Sequence, residues 1–401
     1  MKVLVAMKPF KDAIAADEAC DFVQLGLKQA FDRMVPAAER ANYTSVKVPL
    51  PGNSEGFLAA VRPALTAQGF KEVKVAVFDP SLTHTLEVPL LVKGKECYLE
   101  AGLALGRKLT KAQMLTASSY GLGQLIAHAL DLGCTDLKLS LGDVGCCDLG
   151  LGLMQALGVK FEGAPVVKNK KVKSEVAHVI TPIMSWSKFT SFDDSVLKQR
   201  LRASGAKLTI LTDHFIPLDG SEGPVGRLVM RHGAVSAQHK SMIPLFRTGN
   251  QRLAQHYGCD VQNQLGAGAG GGCAAALMYL MNAQVASSME TALDLLDLDH
   301  KLEEADLVIT GEGLVQIQSL VFQAKAEGLA ARAKKHKVPL WLLCGEMDNV
   351  ASPQLLLDKG ITAALSISHG TITLEEALPV TGATLMSTAS NAMIMALSVR
   401  K

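Results

Sequence analysis

Short apolar runs alternate with helix-patterned stretches along this chain, and that order restricts the fold more than any other feature. A typical helical stretch is SSYGLGQLIAHALDLG (118–133), whose apolar residues recur at helical spacing. The runs that resemble buried strands are KVLVAM (2–7), LKLSL (137–141), ADLVIT (305–310), PLWLLCG (339–345) and AALSIS (363–368). This βαβα order predicts an α/β fold with a doubly wound parallel sheet, and ligands bind at the carboxyl ends of strands in such sheets. It places Ala6, Leu141 and Thr310 at the carboxyl edge of one sheet.

Two regions have a different pattern and suggest a second domain. The chain has 401 residues, which is long for one core. Residues 46–104 carry short β-like runs such as VKVAVF, and residues 161–264 hold runs such as KLTILTDHF with loops between. We therefore predict a discontinuous domain made of 1–45, 105–160 and 265–401. A second α/β domain, made of 46–104 and 161–264, is inserted into it.

Composition excludes several classes of protein. The formal charge is +2 and aromatic residues are 5%, so neither a basic footprint nor a stacking platform for nucleic acid is visible. The first residues lack the pattern of a signal peptide, and no apolar run reaches about 18 residues, so no membrane span is expected. The eight cysteines include no CxxC, which argues against a zinc site and a disulfide framework. We expect a cytoplasmic protein with reduced core cysteines.

The stretch DLVITGEGLVQIQSL (306–320) is a candidate phosphate site. A strand that breaks on Gly311-Glu312-Gly313 presents backbone N–H groups and one carboxylate to a phosphate-bearing ligand. The candidate nucleotide-binding residues here are Gly311, Gly313 and Ser319.

A glycine-rich loop, LGAGAGGG (265–272), precedes the helix-compatible run CAAALMYLMNA. Its glycines let the backbone approach a ligand closely, and a helix start adds positive potential. The candidate anion-binding residues are Gly266, Gly268, Gly270, Gly271 and Gly272. The alternative is a tight packing turn, because the polar segment before the loop is not the strand that a dinucleotide fingerprint requires.

Four charged residues near strand ends are candidates for chemistry, each with a structural alternative. Lys11 could neutralise phosphate charge or be a solvated lysine at a helix start. Asp148, in the turn SLGDVGCCDLGLG, could hold Mg²⁺ or cap a helix. Asp213, at the end of KLTILTDHF, is a candidate metal ligand or general base. Glu55 lies in a loop, where plain surface charge is the alternative.

These motifs, in this order, resemble the bacterial glycerate kinases. The resemblance runs from end to end and is strongest in SSYGLGQLIAHALDLG, GLMQALGV, LGAGAGGG, EEADLVITGEG, AKKHKVP and ITLEEAL. It implies two α/β domains, one Rossmann-like and discontinuous, with the active site in the cleft between them. It also implies phosphorylation of D-glycerate to 2-phosphoglycerate with ATP and Mg²⁺. The residues expected to line that cleft are Lys11, Glu55, Asp148, Asp213 and Glu312.

The chain departs from the family pattern at several charged positions. Lys8 stands where the family has an aspartate, and Leu314, Gln316 and Gln323 stand where it has arginine, aspartate and lysine. Phosphoryl transfer depends on such positioned charges. Two hypotheses follow: an ATP-dependent kinase of glycerate or a related small hydroxy acid, or an impaired or inactive paralogue (a pseudoenzyme) with a binding or regulatory role. Whether Lys8, Asp143 or Lys325 replaces the missing charges, and the oligomeric state, are left open.

Overall fold

The computed structural model describes most of the chain. The described residues are 1–10, 13–52, 56–106, 113, 116–142, 144–163, 186, 189, 191–220, 222–226, 237–315, 328–347, 352–368, 370 and 373–399. They form two compact units. The first comprises 1–52, 59–64 and 289–401, and the second comprises 53–58 and 65–288.

The strands of the described residues are short, and they follow one another in this order along the chain: β1 (Lys2–Met7), β2 (Thr44–Lys47), β3 (Lys71–Phe78), β4 (Thr85–Lys93), β5 (Glu96–Glu100), β6 (Asp136–Ser140), β7 (Lys160–Glu162), β8 (Ser191–Asp193), β9 (Lys207–Leu211), β10 (Gln284–Ala286), β11 (Leu307–Val315), β12 (Leu340–Met347) and β13 (Ala363–Ser366).

The helices vary more in length and are α1 (Ala16–Met34), α2 (Phe57–Ala67), α3 (Ala101–Leu105), α4 (Tyr120–Asp131), α5 (Leu151–Ala156), α6 (Ser195–Ser204), α7 (Ala237–Tyr257), α8 (Cys273–Met281), α9 (Ser288–Leu295), α10 (Leu298–Glu303), α11 (Gly328–Lys335), α12 (Pro353–Asp358), α13 (Leu374–Ala377) and α14 (Thr381–Ser398). Short 3₁₀ turns occupy Ala37–Asn42, Ala269–Gly272 and Leu378–Val380.

The first unit is built on a five-stranded, all-parallel sheet with the order β13-β12-β11-β1-β2. Alternate residues of β1 point to opposite faces. Val3, Val5 and Met7 pack in one apolar cluster with α1 and α14, whereas Leu4 and Ala6 pack in another with helices α9 to α12. Because both faces are covered, β1 is a continuous apolar run rather than an alternating one.

Helix α14 packs directly against α1. The stretch Leu374–Ser398 is, within the described part of the chain, the one helical stretch long and apolar enough to cross a membrane. Leu385, Ala389 and Met393 of this stretch are buried in the core cluster that contains α1. The backbones approach so closely that a Cβ atom on Gly26 of α1 would lie 2.3 Å from the Met386 carbonyl oxygen. Packing in the first unit therefore accounts for the apolar composition of this helix.

The second unit contains a six-stranded mixed sheet with the order β10-β9-β6-β5-β4-β3. Strands β5, β6, β9 and β10 run parallel, and β4 is antiparallel to both of its neighbours. Its core is one large cluster that includes the buried helix α8. A separate two-stranded antiparallel pair joins β7 to β8.

The division of the chain between the two units differs from the predicted domains. Residues 105–160 and 265–288 lie in the second unit, and residues 46–52 lie in the first. The prediction that Leu141 shares a sheet with Ala6 and Thr310 does not hold, because β6, which precedes Leu141, belongs to the six-stranded sheet. Both sheets contain parallel strands with buried apolar residues, so strand type alone does not reveal which sheet a strand joins.

Candidate active site

The first sheet has a topological switch point between β1 and β11. The chain leaves β1 through α1 to reach β2 on one side, and β11 returns on the other side of β1. In open α/β sheets, ligands bind outside the carboxyl ends of the strands at such a point. The residues at this place are therefore the first candidates for a ligand site.

A row of four side-chain positions crosses the carboxyl edge of this sheet. Glu312 is paired with Cys344, and Cys344 with Ser366, across β11, β12 and β13. Lys8 lies beside Glu312, since the preceding pair is Met7 with Gly311. Neighbouring strands are about 4.8 Å apart, so the row places four different side chains side by side.

The pair Lys8–Glu312 is the charged part of this row. The Lys8 Nζ atom lies 3.5 Å from the Glu312 Oε2 atom, and the two side chains are 18% and 28% exposed. The Lys8 N–H group donates to the Gly311 carbonyl oxygen at 3.0 Å, which fixes the start of the lysine side chain. Burial, with the nearby negative charge of Glu312 as the lesser cause, raises the pKa of the Cys344 thiol to about 11. The row thus offers one cation and one carboxylate at the switch point.

The predicted glycine turn at Gly311-Glu312-Gly313 is instead part of a strand. Strand β11 continues to Val315 and stays paired with β12 as far as Met347. A Cβ atom on Gly311 would lie 2.4 Å from the Leu343 carbonyl oxygen, so glycine is needed there for close strand packing. The backbone here is held in a sheet, and Glu312 projects its carboxylate from a rigid element.

The second sheet places polar groups at the carboxyl ends of β9 and β10. Ser287 Oγ donates to Asp213 Oδ1 at 2.6 Å, and the Thr212 N–H group donates to the Ala286 carbonyl oxygen at 2.9 Å. The His214 N–H group donates to Thr212 Oγ1 at 3.1 Å. Asp213 and His214 are both partly exposed. Asp213 is therefore a partly exposed carboxylate held at a sheet edge.

Glu100 lies at the end of β5, in the same sheet, and supports a helix start. Its carboxylate accepts hydrogen bonds from the N–H groups of Gly56 and Leu58, at 2.8 and 2.9 Å, at the first turn of α2. The residue is 4% exposed. An acidic side chain at this position satisfies N–H groups that the helix leaves unpaired and complements the helix dipole.

Asp148 is enclosed by hydrogen-bond donors. Its carboxylate accepts from the Ser119 N–H and Oγ–H groups, both at 2.9 Å, and from the N–H groups of Gly150 and Gly152 at 3.0 and 3.1 Å. The residue is 4% exposed, and burial raises its pKa against the opposing effect of these donors. This geometry agrees with the capping alternative, because it joins the start of α5 to the start of α4.

The glycine-rich loop is packed into the core of the second unit. The N–H groups of Gly268, Gly270 and Gly272 donate to the carbonyl oxygens of Ile216, Gly142 and Gly268. At Gly271, which has φ +63°, a Cβ atom would lie 1.9 Å from the Cys146 carbonyl oxygen. Gly266 also has positive φ, and its backbone is buried. Three of the five candidate N–H groups are bound within the protein, so the loop fits the packing alternative better than an anion site.

A family model described as "Glycerate kinase family" matches residues 3–397. The chain belongs to this family. The glycerate kinase of Bacillus cereus is 30% identical over 98% of this chain and 97% of its own length. The glycerate 2-kinase of Escherichia coli is 27% identical over 94% of this chain and 93% of its own length.

A solved structure supports the same assignment. The crystal structure of a putative glycerate kinase 2 from Salmonella typhimurium LT2 is similar to this chain, with a TM-score of 0.71 and 26% identity. The similarity covers 99% of this chain and 98% of that one. The predicted fold class, the glycerate kinase fold with parallel α/β sheets, is confirmed.

Five candidate catalytic residues were predicted from the glycerate kinase resemblance, and they are distributed over both units. Glu312 lies at the switch point of the first unit, and Asp148 and Asp213 lie in the second. Lys11 and Glu55, like the candidate nucleotide ligand Ser319 and the substitutes Asp143 and Lys325, lie outside the described residues. That residues of both units line one cleft stays a prediction.

The Mg²⁺ ion that a glycerate kinase implies was tested against the two predicted ligands. In the described ranges there is no group of three or more His, Cys, Asp or Glu side chains that could hold a metal ion. Mg²⁺ needs only one or two protein carboxylates when phosphates and waters complete its shell. Asp213 fits that requirement, because it is partly exposed at a sheet edge. Asp148 does not, because it is buried and accepts four hydrogen bonds from the protein.

Two polar residues of these edges were not singled out from the sequence. Ser287 holds Asp213, and Glu100 holds the start of α2. Lys8 entered only as a possible substitute for a missing charge. Lys8 directly follows β1, Glu100 ends β5, and Ser287 directly follows β10. The rule that ligands meet the carboxyl ends of strands could therefore have identified them.

Proposed function

We propose that this chain catalyses ATP-dependent phosphoryl transfer to D-glycerate, giving 2-phosphoglycerate, or to a related small hydroxy acid. The observation that carries the proposal is the match to the glycerate kinase family over residues 3–397. Relatives that cover nearly all of this chain carry the names glycerate kinase and glycerate 2-kinase. The carboxylate of Glu312 at the switch point of the first sheet supports it.

In this proposal Glu312 acts on the substrate hydroxyl group. The hydroxyl must lose a proton as its oxygen attacks the terminal phosphorus of ATP, the bond to the β,γ-bridging oxygen breaks, and ADP leaves with the electron pair. A carboxylate within hydrogen-bond reach accepts that proton or orients the hydroxyl. Glu312 is held by β11, which pairs with β1 on one side and β12 on the other. A rigid strand fixes the position of the carboxylate and so reduces the cost of orienting it.

Asp213 is the proposed Mg²⁺ ligand, with Ser287 as its positioning residue. The Ser287 hydroxyl donates to one carboxylate oxygen, which orients the partly exposed carboxylate at the sheet edge. A Mg²⁺ ion bound there would offset the negative charge of the nucleotide phosphates. Asp148 has a structural role in this proposal.

The test is an ADP-release assay on the full chain with ATP, MgCl₂ and D-glycerate, coupled to NADH oxidation. We expect ADP release that depends on D-glycerate, and ³¹P NMR of the product identifies which hydroxyl carries the phosphate. Glu312→Gln should reduce the turnover rate by about 100-fold or more, the usual effect of removing a general base. L-Glycerate and glycerol are the matched substrate controls.

Three outcomes would contradict parts of the proposal. ADP release at the same rate with and without any hydroxy acid rejects the phosphotransfer activity. A thermal shift with Mg-ATP and D-glycerate but no turnover supports the non-catalytic alternative instead. Unchanged turnover in Glu312→Gln rejects the assigned role of Glu312 but leaves the activity itself in place.

A further inference from the structure

Lys8 is a partly enclosed cation, and its ion-pair partner in the described part of the chain, Glu312, lies at a long distance. Its side chain is 18% exposed, and the 3.5 Å separation from Glu312 exceeds the 2.7–2.9 Å typical of a charge-assisted hydrogen bond. The other described ion pairs of the first unit that involve lysine, such as Lys28–Asp32 at 2.6 Å and Lys47–Asp21 at 2.5 Å, are shorter and more exposed. Among the described residues, the carboxylate that pairs with Lys8 therefore does not hold the lysine charge tightly.

The position of Lys8 suits an anionic ligand. It follows β1 at the switch point, where the carboxyl ends of the parallel strands meet a ligand. The remaining members of its row, Cys344 and Ser366, are neutral side chains, and burial keeps the Cys344 thiol protonated. A ligand that approaches this row thus meets one positive group, Lys8, beside the carboxylate of Glu312. The Lys8 N–H group anchors the base of the lysine to the sheet.

We propose that the Lys8 ammonium binds the anionic oxygens of the ligand and exchanges its loose contact with Glu312 for them. The shared chemistry is a carboxylate or phosphate group, supplied by the hydroxy acid or by the nucleotide. The proposal rests on the proposed function, since it assigns a substrate-binding residue to the same site. Once Lys8 moves to the ligand, the carboxylate of Glu312 is released towards the substrate hydroxyl group.

The two members of the pair should then have opposite effects on anion binding. In Lys8→Met the cation is removed, so inorganic phosphate should bind at least about tenfold more weakly, as expected for the loss of one charge-assisted hydrogen bond. In Glu312→Gln the competing carboxylate is removed, so inorganic phosphate should bind more tightly than in the wild-type chain. If the pair had a purely structural role, both substitutions would reduce the stability of the fold. They would not change phosphate affinity in opposite directions.

The experiment is isothermal titration of the full chain with inorganic phosphate, D-glycerate and ATP in turn, in the absence of Mg²⁺. The variants are Lys8→Met, Lys8→Arg, Glu312→Gln and, as a matched control, Lys28→Met. Lys28 is a lysine of the same unit that pairs with Asp32 at 2.6 Å and is 71% exposed. Lys8→Arg keeps the charge and should retain most of the affinity that Lys8→Met loses.

The separate titrations with phosphate, D-glycerate and ATP identify which anion Lys8 binds. A loss confined to D-glycerate places the acid carboxylate on Lys8, and a loss confined to ATP and phosphate places a phosphate group there. Equal affinities in Lys8→Met and wild type for all three ligands, or the same loss in Lys28→Met, overturn the proposal. Because these titrations need no turnover, they decide on Lys8 even if the coupled assay rejects the kinase activity.

Discussion

Asp148 is the residue whose environment most clearly separates a structural role from a catalytic one. Its four donors come from Ser119, Gly150 and Gly152, all of which are buried. Asp148→Asn turns an amide NH₂ group towards at least one of these donors. We expect a loss of about 1–3 kcal/mol in the free energy of unfolding, measured by urea denaturation.

The matched control for that variant is Asp213→Asn. Asp213 is partly exposed and accepts from Ser287, so the same substitution should change stability little and reduce Mg²⁺-dependent turnover instead. The opposite pattern, in which Asp148→Asn is fully stable and loses Mg²⁺ dependence, would restore Asp148 as a metal ligand.

Asp148 also gives the fold a pH dependence of known sign. Burial raises its pKa in the folded chain above the unfolded value. Its contribution to stability is therefore complete below the ordinary carboxyl pKa and is lost as the pH rises through the raised value. The difference in thermal midpoint between wild type and Asp148→Asn should be largest at acid pH and should narrow on going to neutral pH. A difference that widens with pH would contradict this direction.

The thiols give a second test at the residue scale. Cys259 is exposed and the other seven cysteines are buried. Burial raises the pKa of Cys20 and of Cys344 to about 11, so little thiolate is present near pH 8. Titration of the native chain with Ellman's reagent should show one fast-reacting thiol, absent in Cys259→Ser, and eight thiols in denaturant. Two or more fast thiols would show that the described packing is incomplete.

At the scale of single elements, the glycine-rich loop makes a quantitative prediction about packing. Gly271 and Gly258 both have positive φ, +63° and +69°, but a Cβ atom on Gly258 would meet nothing within 4 Å. Gly258→Ala should therefore cost only the conformational penalty of about 1–2 kcal/mol. Gly271→Ala adds a collision with the Cys146 carbonyl oxygen and should cost clearly more, measured by chemical denaturation. Equal losses in the two variants would contradict the packing role of the loop.

The elements also show which sequence patterns were informative. Strand β1 coincides with the predicted run KVLVAM, and α8 begins at Cys273, as predicted. Both elements are buried on all sides, so their sequences are continuously apolar and easy to recognise. Strand β11 was predicted to break at Gly311, yet it continues to Val315. Glycine is typical of turns, but here close strand packing requires it. Composition cannot distinguish these two causes, because both demand the absence of a Cβ atom.

The site was less predictable than the strands for a related reason. Three acidic residues, Asp148, Asp213 and Glu312, follow or end apolar strands. Sequence position alone therefore made each of them an equally good candidate for a ligand-binding residue. Burial separates them: Asp148 is enclosed, whereas Asp213 and Glu312 are partly exposed. Side-chain exposure depends on neighbours from distant parts of the chain, such as Ser119 at Asp148 and Ser287 at Asp213.

At the scale of the whole molecule, the second unit should fold without the first. Its core cluster draws only on residues between Val75 and Val285. A fragment of residues 53–288, which holds the second unit together with residues 59–64 of the first, should therefore show native-like secondary structure and a single cooperative thermal transition, measured by circular dichroism. Residues 1–52 alone lack β11 and should show no such transition. A fragment 53–288 without a cooperative transition would mean that the division into two units does not describe independent folding.

The place of β1 between β2 and β11 has a consequence for biosynthesis. Its partner on one side lies some 304 residues downstream, as the pair Lys8–Glu312 shows. Ribosomes add about 5–20 residues each second, so roughly 15–60 s separate the appearance of the two strands. During that interval the nascent β1 can pair with β2 but not with β11, and the backbone N–H and C=O groups of its other edge are unpaired and accessible to other polypeptides. Slow translation upstream of residue 307 should lengthen this exposure. The yield of native chain should then depend on chaperones that bind the unpaired β1 strand.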